Sequence, residues 1–462
     1  MKSLAIDTGS FRDPSGKVFE ANGDVYRSIT SLAIEDFEKV WSSGFLQRLI
    51  ARDWLVDAER VSVNVQAPDD ARAILRHPRL SFISYPYEWG FETLKSAALL
   101  HLDIELDALD HDIALSDASA YNVQFKGCRP IFIDHLSFRP YQEGEFWIGH
   151  SQFLDQFLNP LLLRALLGVS HNAWYRGNLE GIPTADLHRL LPLRSQLSIN
   201  VLSHVTLPAR LQKRASGASE QSFDRLRNAK LPRLSYRALL SRLRSWIEGL
   251  SPAGSSNTTW QRYEDFRTYG SDELDAKRRF IGDFASKVKP RQLWDLGCNT
   301  GEFCELALES GAQTAIGFDY DQGSLDLAFA RGRDRGLNFL PLFLDAANPS
   351  PSQGWAGVER KDFASRGEAD ALFALAFIHH LAIARNVPLP NAVSWLVSRA
   401  PQGVIEFVPK GDPTVKTMLQ LRKDVFPHYT EADFLRALEE EARIVKKETI
   451  TDSGRTLVWY DR

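Results

Sequence analysis

Cysteine, net charge and long apolar runs are all scarce in this chain. Its 462 residues contain only Cys128, Cys298 and Cys304, too few and too unpatterned for a disulfide framework or a zinc site. The formal net charge is −4, so no overall field draws the protein to nucleic acid or anionic lipid. No apolar stretch approaches the ~20 residues that cross a bilayer, and the first residues lack a signal-peptide core. We therefore expect a cytoplasmic protein with neither a membrane nor a nucleic acid as its partner.

The most informative stretch is an apolar segment that runs into a glycine turn and a predicted helix. It reads LWDLGCNTGEF from residue 293 to residue 303. Gly297 and Gly301 remove side chains where a ligand would approach the main chain, and the next helix offers unpaired N–H groups in its first turn. A dinucleotide motif is disfavoured, because its later glycines would fall on Asn299 and Glu302.

An aspartate lies at or near the end of this segment and of each of the next two strand-like segments. Asp295 precedes the glycine turn, Asp319 ends residues 313–319, and Asp345 follows the strand-like residues 338–344. An acid about 20 residues beyond the glycine turn suits the diol of a ribose. The alternative is that each acid only caps a helix.

The pattern D-x-G-x-N-x-G followed by G-F-D resembles class I methyltransferases dependent on S-adenosylmethionine, from about residue 260 to the C-terminus. The resemblance implies that Asp319 takes the ribose hydroxyls and that Asp345 faces the adenine amino group. It implies a site without a metal. The residues that it places around the methionine part are Asp295, Gly297, Asn299 and Gly301.

Helical and strand-like patterns alternate in the second half of the chain. Helices are predicted over residues 266–288, 322–335 and 390–399, and strands over 338–344, 369–378 and 403–408. This alternation predicts an α/β fold with a Rossmann-like, doubly wound sheet that binds ligands at the carboxyl ends of its strands. The polar stretch at 251–259 suits a linker. The predicted units are residues 1–205, a basic, solvated helical connector and linker at 206–258, and a methyltransferase domain at 259–462.

Three residues are candidates for catalysis. His379 and His380 come directly after the apolar run at 369–378, and either histidine would accept a proton near neutral pH. Alternatively, one orients the cofactor and the other packs. Glu406 lies inside the next predicted strand, where a charged residue needs a partner or a task.

The residues just after the fourth strand bear on the identity of the acceptor. The sequence there is FIHHL, residues 377–381, instead of the Asn-Pro-Pro-Tyr type found in related enzymes that methylate bases or a glutamine amide. It looks more like methyltransferases that act on oxygen or carbon of small molecules. Trp355, Phe426 and Tyr429 either build the acceptor pocket or belong to the core.

The first half carries a separate constellation. Asp117, Asn122 and Asp134 lie in a predicted hairpin, and their spacing resembles the catalytic and metal loops of kinase-like small-molecule phosphotransferases. The resemblance implies an α+β kinase-like domain in which Asp117 orients a hydroxyl nucleophile while Asn122 and Asp134 hold magnesium with ATP. Leu115 stands where the usual histidine would be, and no phosphate-binding lysine is evident. The alternative is an Asx turn in a scaffolding or substrate-binding domain.

Two further segments of the first half bear on its architecture. Residues 82–90 are predicted to form the strand and hinge between two lobes, and residues 94–109 the long helix after that hinge. The chain is thus predicted to transfer a methyl group to a small-molecule acceptor. The alternatives are a bifunctional kinase and methyltransferase acting on one metabolite, and a binding module that holds the cofactor without turnover.

Overall fold

The computed structural model describes residues 5–21, 23–61, 68, 70–210, 230–254, 271–367, 369–420 and 423–462. Parts of three predicted segments lie outside these residues, namely 211–229 of the basic connector, 255–259 of the linker and 266–270 of the helix after it.

The first half begins with an antiparallel sheet of five strands in the order β1-β2-β3-β5-β4. The strands are β1 (Ala5–Ile6), β2 (Val18–Ala21), β3 (Asp24–Thr30), β4 (Glu59–Val61) and β5 (Ala71–His77). Helices α1 (Ile34–Ser42) and α2 (Phe45–Ala51) connect β3 to β4. β2 and β3 pair as an antiparallel hairpin.

Two small strand pairs and a helical region complete the first half. The pairs are β6 (Ile113–Leu115) with β9 (Phe138–Pro140), and β7 (Val123–Lys126) with β8 (Arg129–Phe132). The helices are α3 (Phe91–Leu109), α4 (His150–Phe153), α5 (Asn159–Leu167), α6 (Asn172–Gly177), α7 (Thr184–Leu190), α8 (Leu193–Gln196), α9 (Ile199–Val201) and α10 (Arg233–Glu248). Single π-helical turns occupy Leu154–Leu158 and Leu202–Thr206.

Helix α10 packs along α3 and buries Tyr236, Leu240, Leu243 and Ile247. The Tyr236 hydroxyl donates to the buried Glu105 carboxylate at 2.5 Å, and the Arg237 guanidinium binds Asp110 at 3.0 Å. The predicted basic helix is observed over residues 233–248, and its arginines lie at the surface, where Arg237 and Arg244 pair with Asp110 and Asp103.

Residues 82–90 form no strand. They carry only a 3-10 turn at Pro86–Glu88, and the prediction of a strand and hinge is wrong. The Phe82 ring instead lies 5.7 Å from the Trp294 ring and 5.9 Å from the Phe318 ring. The segment is aromatic because it covers one face of the second-half sheet, where large apolar rings bury the most surface.

The second half is built on a seven-stranded sheet in the order β12-β11-β10-β13-β14-β16-β15. The strands are β10 (Gln292–Leu296), β11 (Thr314–Asp319), β12 (Phe339–Phe343), β13 (Ala371–Ala374), β14 (Gln402–Phe407), β15 (Arg443–Thr449) and β16 (Thr456–Asp461). β10 to β14 are parallel, and β15 and β16 add antiparallel. The predicted doubly wound parallel sheet is confirmed, and its strand order reverses at β10.

Helices cover both faces of this sheet. They are α11 (Ser271–Val288), α12 (Glu302–Glu309), α13 (Gln322–Asp334), α14 (Leu389–Val397), α15 (Pro413–Leu419) and α16 (Glu431–Glu441), with a π-helical turn at His380–Ala384. Leu293 packs on one face with Phe284 of α11, and Trp294 on the other face belongs to a buried cluster that also contains Phe82 and Trp89 of the first half. The two halves therefore share one hydrophobic core.

Among the described helices, none combines the length and the apolarity that a bilayer crossing requires.

Candidate functional site

A cavity of about 1640 Å³ opens at the carboxyl ends of the parallel strands. It lies where the strand order reverses, the usual ligand site of an open parallel sheet. Most of the residues predicted from the sequence line it, whereas Gly301 and Glu406 do not. Those that line it are Asp295, Gly297, Asn299, Asp319, Asp345, His379 and His380.

The glycine turn gains its shape from left-handed backbone conformations. Gly297 has a φ of 84° and Gly301 a φ of 81°, which glycine adopts without strain. A Cβ on Gly301 would meet the Phe339 ring at 2.5 Å, and one on Gly297 would meet the Phe377 ring at 2.9 Å. The absent side chains thus leave room for aromatic rings of the protein, and the approach of a ligand to the main chain at both glycines stays a prediction.

Asp295 is the buried acid of the site. It is 1% exposed, and one carboxylate oxygen accepts a hydrogen bond from the Cys304 thiol at 3.3 Å. The other oxygen, Oδ1, accepts no hydrogen bond from the described residues. Burial raises the pKa of Asp295 to about 7. An unpartnered carboxylate oxygen at a cavity wall suits a cationic N–H donor, and the ammonium group of S-adenosylmethionine fits this requirement.

Asp319 ties the glycine turn to the end of β11. Its Oδ2 accepts from the Asn299 amide at 2.8 Å, and its Oδ1 accepts from the Asp321 amide at 2.9 Å. Burial raises the pKa of Asp319. Each carboxylate oxygen retains a second acceptor position, so the side chain suits a ligand with neighbouring hydroxyl groups.

Asp345 lies just beyond β12 at the third strand end. Its carboxylate is 3.4 Å from the Arg385 guanidinium and also accepts from the Ala347 amide at 3.1 Å. The same Arg385 guanidinium lies 5.8 Å from the centre of the exposed Tyr320 ring, which also lines the cavity. A flat ring with an exocyclic amino group would find a stacking surface and an acceptor here.

His379 and His380 reach the cavity because β13 is shorter than predicted. The strand covers only Ala371–Ala374 of the predicted residues 369–378, and Ala376 turns the chain with a φ of 50°. His379 is 1% exposed, and neither ring nitrogen has a hydrogen-bond partner among the described residues. Burial lowers the pKa of His379 to about 3, with His380 and Arg455 adding to the effect. His380 is exposed, and the two ring centres are 4.3 Å apart.

Glu406 has a partner and does not border the cavity. This fully buried carboxylate binds the Lys277 ammonium at 2.7 Å and lies 3.6 Å from the Arg455 guanidinium. Arg455 also binds Asp412 at 2.7 Å, and although burial alone would raise the pKa of Asp412, this guanidinium helps to lower it to about 2. Glu406 therefore acts as a positioning residue for two cavity-lining cations.

Sequence analysis missed Lys277 and Arg455, which both line the cavity. Lys277 lies in an amphipathic helix, where a lysine ordinarily faces water. The only feature of the sequence that indicated these two cations was Glu406, because a charged residue inside a buried strand requires a partner elsewhere in the chain.

The aromatic residues considered for an acceptor pocket lie elsewhere. Trp355 is 67% exposed, and the buried Tyr429 hydroxyl donates to the Val408 carbonyl at 2.8 Å. Phe426 packs against the core. None of the three borders the cavity.

Asp117, Asn122 and Asp134 of the first half lie close together, but their side chains already bind other groups of the protein. Asn122 donates to Asp117 at 3.0 Å, and the Ser137 hydroxyl donates to Asp134 at 2.6 Å. Burial and the charge of Asp134 raise the pKa of Asp117 to about 6. Asp134 is also 3.1 Å from the Arg27 guanidinium. Within the described part of the chain, no cluster of three histidine, cysteine or acidic residues is arranged to hold a metal.

No protein-family model matches the chain. A curated protein, the nodulation protein NoeA of Rhizobium meliloti (strain 1021), is 47% identical over 456 residues, which cover 98% of this chain and 95% of that protein.

Two solved structures that match the chain are methyltransferases. One is the magnesium protoporphyrin IX methyltransferase of Synechocystis PCC 6803 with bound S-adenosylhomocysteine, at 18% identity and a TM-score of 0.31, covering 45% of this chain and 95% of that one. The other is the N-methyltransferase NodS of Bradyrhizobium japonicum WM9, at 12% identity and a TM-score of 0.29, covering 40% and 95%.

Proposed function

We propose that this chain, which belongs to the family of the nodulation protein NoeA, transfers a methyl group from S-adenosylmethionine to a small-molecule acceptor. The main observation behind the proposal is that Asp295, Asp319 and Asp345 line one cavity together with a glycine turn. The unpartnered Oδ1 of Asp295 supports a ligand with a cationic amine.

Each acid has a distinct task in this proposal. Asp295 accepts a hydrogen bond from the ammonium of the methionine part, Asp319 accepts from the ribose hydroxyls, and Asp345 accepts from the adenine amino group. When bound, S-adenosylmethionine supplies a methyl group that its sulfonium already makes electrophilic. The protein therefore needs mainly to align the acceptor and to exclude water.

His379 is the proton acceptor in this proposal. Its lowered pKa keeps the ring neutral throughout the physiological range, so a ring nitrogen is always available to take a proton from an acceptor hydroxyl. A base with so low a pKa is weak, because the driving force for proton transfer falls with the pKa of the base.

Replacing His379 with alanine is expected to lower kcat about tenfold, below the usual contribution of a well-matched base. The affinity for S-adenosylhomocysteine, measured by calorimetry, should stay unchanged, because this ligand occupies only the cofactor half of the cavity. The exposed neighbour provides the control, and His380→Ala should retain the activity of the wild type. A larger loss in His380→Ala than in His379→Ala would assign the base to the exposed ring.

Turnover is tested with S-adenosylmethionine that carries an isotopic label in its methyl group. The full chain is incubated with fractionated small-molecule extracts, and label is expected in an extract component. Tight binding of S-adenosylhomocysteine without any labelled product would favour the binding module that turns nothing over.

Cofactor affinity is expected to depend on pH. Because burial raises the pKa of Asp295 to about 7, the carboxylate is largely protonated at about pH 5 and cannot attract an ammonium group. Affinity for S-adenosylhomocysteine should therefore rise about tenfold per pH unit up to about pH 7 and level off above it. Calorimetry across this range checks the prediction, and in Asp295→Asn the slope should vanish. A slope that persists in the variant would assign the titration to another group.

The first half is proposed to hold the loop between β12 and β13. This loop leaves the cavity at Asp345, and it is then fastened to the first half by several contacts. Arg176 donates to the Asn348 carbonyl at 2.9 Å, and Arg12 binds Glu359 at 3.0 Å. A domain that fixes one wall of the cavity contributes to methyl transfer without chemistry of its own.

Phosphoryl transfer by the first half is not favoured. Asp134 already pairs with Arg27, so magnesium would have to displace a guanidinium. ATP with magnesium is expected to leave the melting temperature unchanged. A rise that Asp134→Ala abolishes would instead support the bifunctional kinase and methyltransferase.

A further inference from the structure

A run of large aliphatic side chains lies on the surface of the first half. Leu193 is 81% exposed, Leu197 85% and Ile199 79%, with smaller exposures along the same segment. We name these side chains the apolar patch, and its members are Leu190, Leu193, Leu197, Ile199, Leu202 and Leu207. Six exposed aliphatic side chains within eighteen residues are unusual, because single exposed apolar residues are ordinary but clusters mark contact surfaces.

The same segment is firmly attached to the protein on its other side. Leu187, Leu191, Val201 and Val205 are buried in the core cluster. The His204 ring lies 5.8 Å from the Trp246 ring of α10 and 6.1 Å from the His150 ring of α4. The apolar patch is therefore a fixed outer face of a packed element. Ile148, two residues before α4, is also 64% exposed.

The charge around the apolar patch has one sign. No aspartate or glutamate occurs from residue 187 to residue 219, while five arginine and lysine residues do. Arg194, Arg210 and Arg242 are exposed and make no ion pair with any described residue. Arg242 lies beside Asn200 at a shallow surface depression. Cations thus flank this apolar surface, and the acid that directly precedes it in the chain, Asp186, is paired with Arg189.

We propose that the apolar patch binds an anionic lipid bilayer, with its aliphatic side chains in the headgroup region and the flanking arginines on lipid phosphates. Apolar side chains combined with basic residues are the composition of segments that lie in the plane of a membrane surface. A symmetric dimer through this face would bring two surfaces of the same positive charge together. The expectation of no membrane partner rested on the near-balanced net charge and on the lack of an apolar stretch of bilayer length, and neither criterion detects a local surface of this kind.

Vesicle co-sedimentation of the full chain tests the proposal. Vesicles of phosphatidylcholine with about 30% phosphatidylglycerol should pellet the wild type, and vesicles of phosphatidylcholine alone should pellet far less. The variant Leu193→Gln/Leu197→Gln/Ile199→Gln should lower the partition coefficient at least about tenfold. Arg194→Gln/Arg210→Gln should abolish the preference for anionic vesicles and lose the sensitivity to salt.

A matched triple variant controls for the loss of exposed apolar surface in general. Leu32→Gln/Val425→Gln/Val445→Gln removes exposed aliphatic side chains elsewhere and should sediment as the wild type does. All variants change exposed positions, and circular dichroism with a thermal melt verifies that they fold.

Three results would overturn the proposal. They are no sedimentation of the wild type with anionic vesicles, equal losses in the patch and control variants, and a dimer in lipid-free buffer that the patch variant converts to a monomer. The last result, measured by light scattering, would assign the face to contact between two copies.

Discussion

Replacing Arg366 with methionine is expected to destabilise the protein by about 3–5 kcal/mol, because the change leaves a buried carboxylate without its cation. Arg366 belongs to the second half, and its guanidinium binds Glu88 of the first half at 2.6 Å. It also donates to the Ile83 carbonyl at 3.0 Å and lies 4.6 Å from the centre of the Tyr85 ring. Ser350 donates to the same carboxylate at 2.7 Å.

Urea unfolding measures this effect. The double variant Glu88→Gln/Arg366→Met should lose less stability than Arg366→Met alone, since it removes both charges. The exposed Arg436, paired with Asp433 on one helix, is the control, and Arg436→Met should cost at most about 0.5 kcal/mol. Because the halves share a core, one cooperative transition is expected. Two separate transitions, with only the first-half transition moved by Arg366→Met, would contradict the account of the interface.

Asp295→Asn is expected to weaken binding of S-adenosylhomocysteine about 100-fold, the usual cost of removing one partner of a buried charged contact. The amide keeps the size of the side chain and an oxygen acceptor, so the loss reports charge more than shape. Calorimetry gives the dissociation constant. Since burial makes the ionised form of Asp295 unfavourable in the free protein, this variant should be as stable as the wild type or more so.

An exposed acid of the same half provides the matched control for this experiment. Glu439→Gln removes one negative charge from the surface of α16 and should bind as the wild type does. Equal affinity in Asp295→Asn and Glu439→Gln would remove the main support for the cofactor site.

The position of the site could be predicted from the order of strands and acidic residues along the sequence. Parallel strands present their carboxyl ends at one edge, so acids that end successive strands must meet there. Asp295, Asp319 and Asp345 illustrate this rule, because each lies at or beside a strand end and all three border one cavity. Their contacts to the cofactor stay predictions.

The features that sequence analysis missed depend on partners far apart in the chain. Lys277 and Glu406 bind each other across 129 residues, and nothing local in either segment identifies the pair. The aromatic residues 82–90 were assigned to a strand for the same reason, since their partners Trp294 and Phe318 lie in the other half. The Phe339 ring beside Gly301 could not be foreseen either, because it comes from a later strand.

A crystal structure of the protein with S-adenosylhomocysteine would show whether the three carboxylates hold the cofactor. We expect the amine of the ligand within about 3 Å of Asp295 Oδ1, the ribose hydroxyls at Asp319 and the adenine beside Asp345. A ligand bound away from these three carboxylates, or no binding at millimolar concentration, would contradict this expectation.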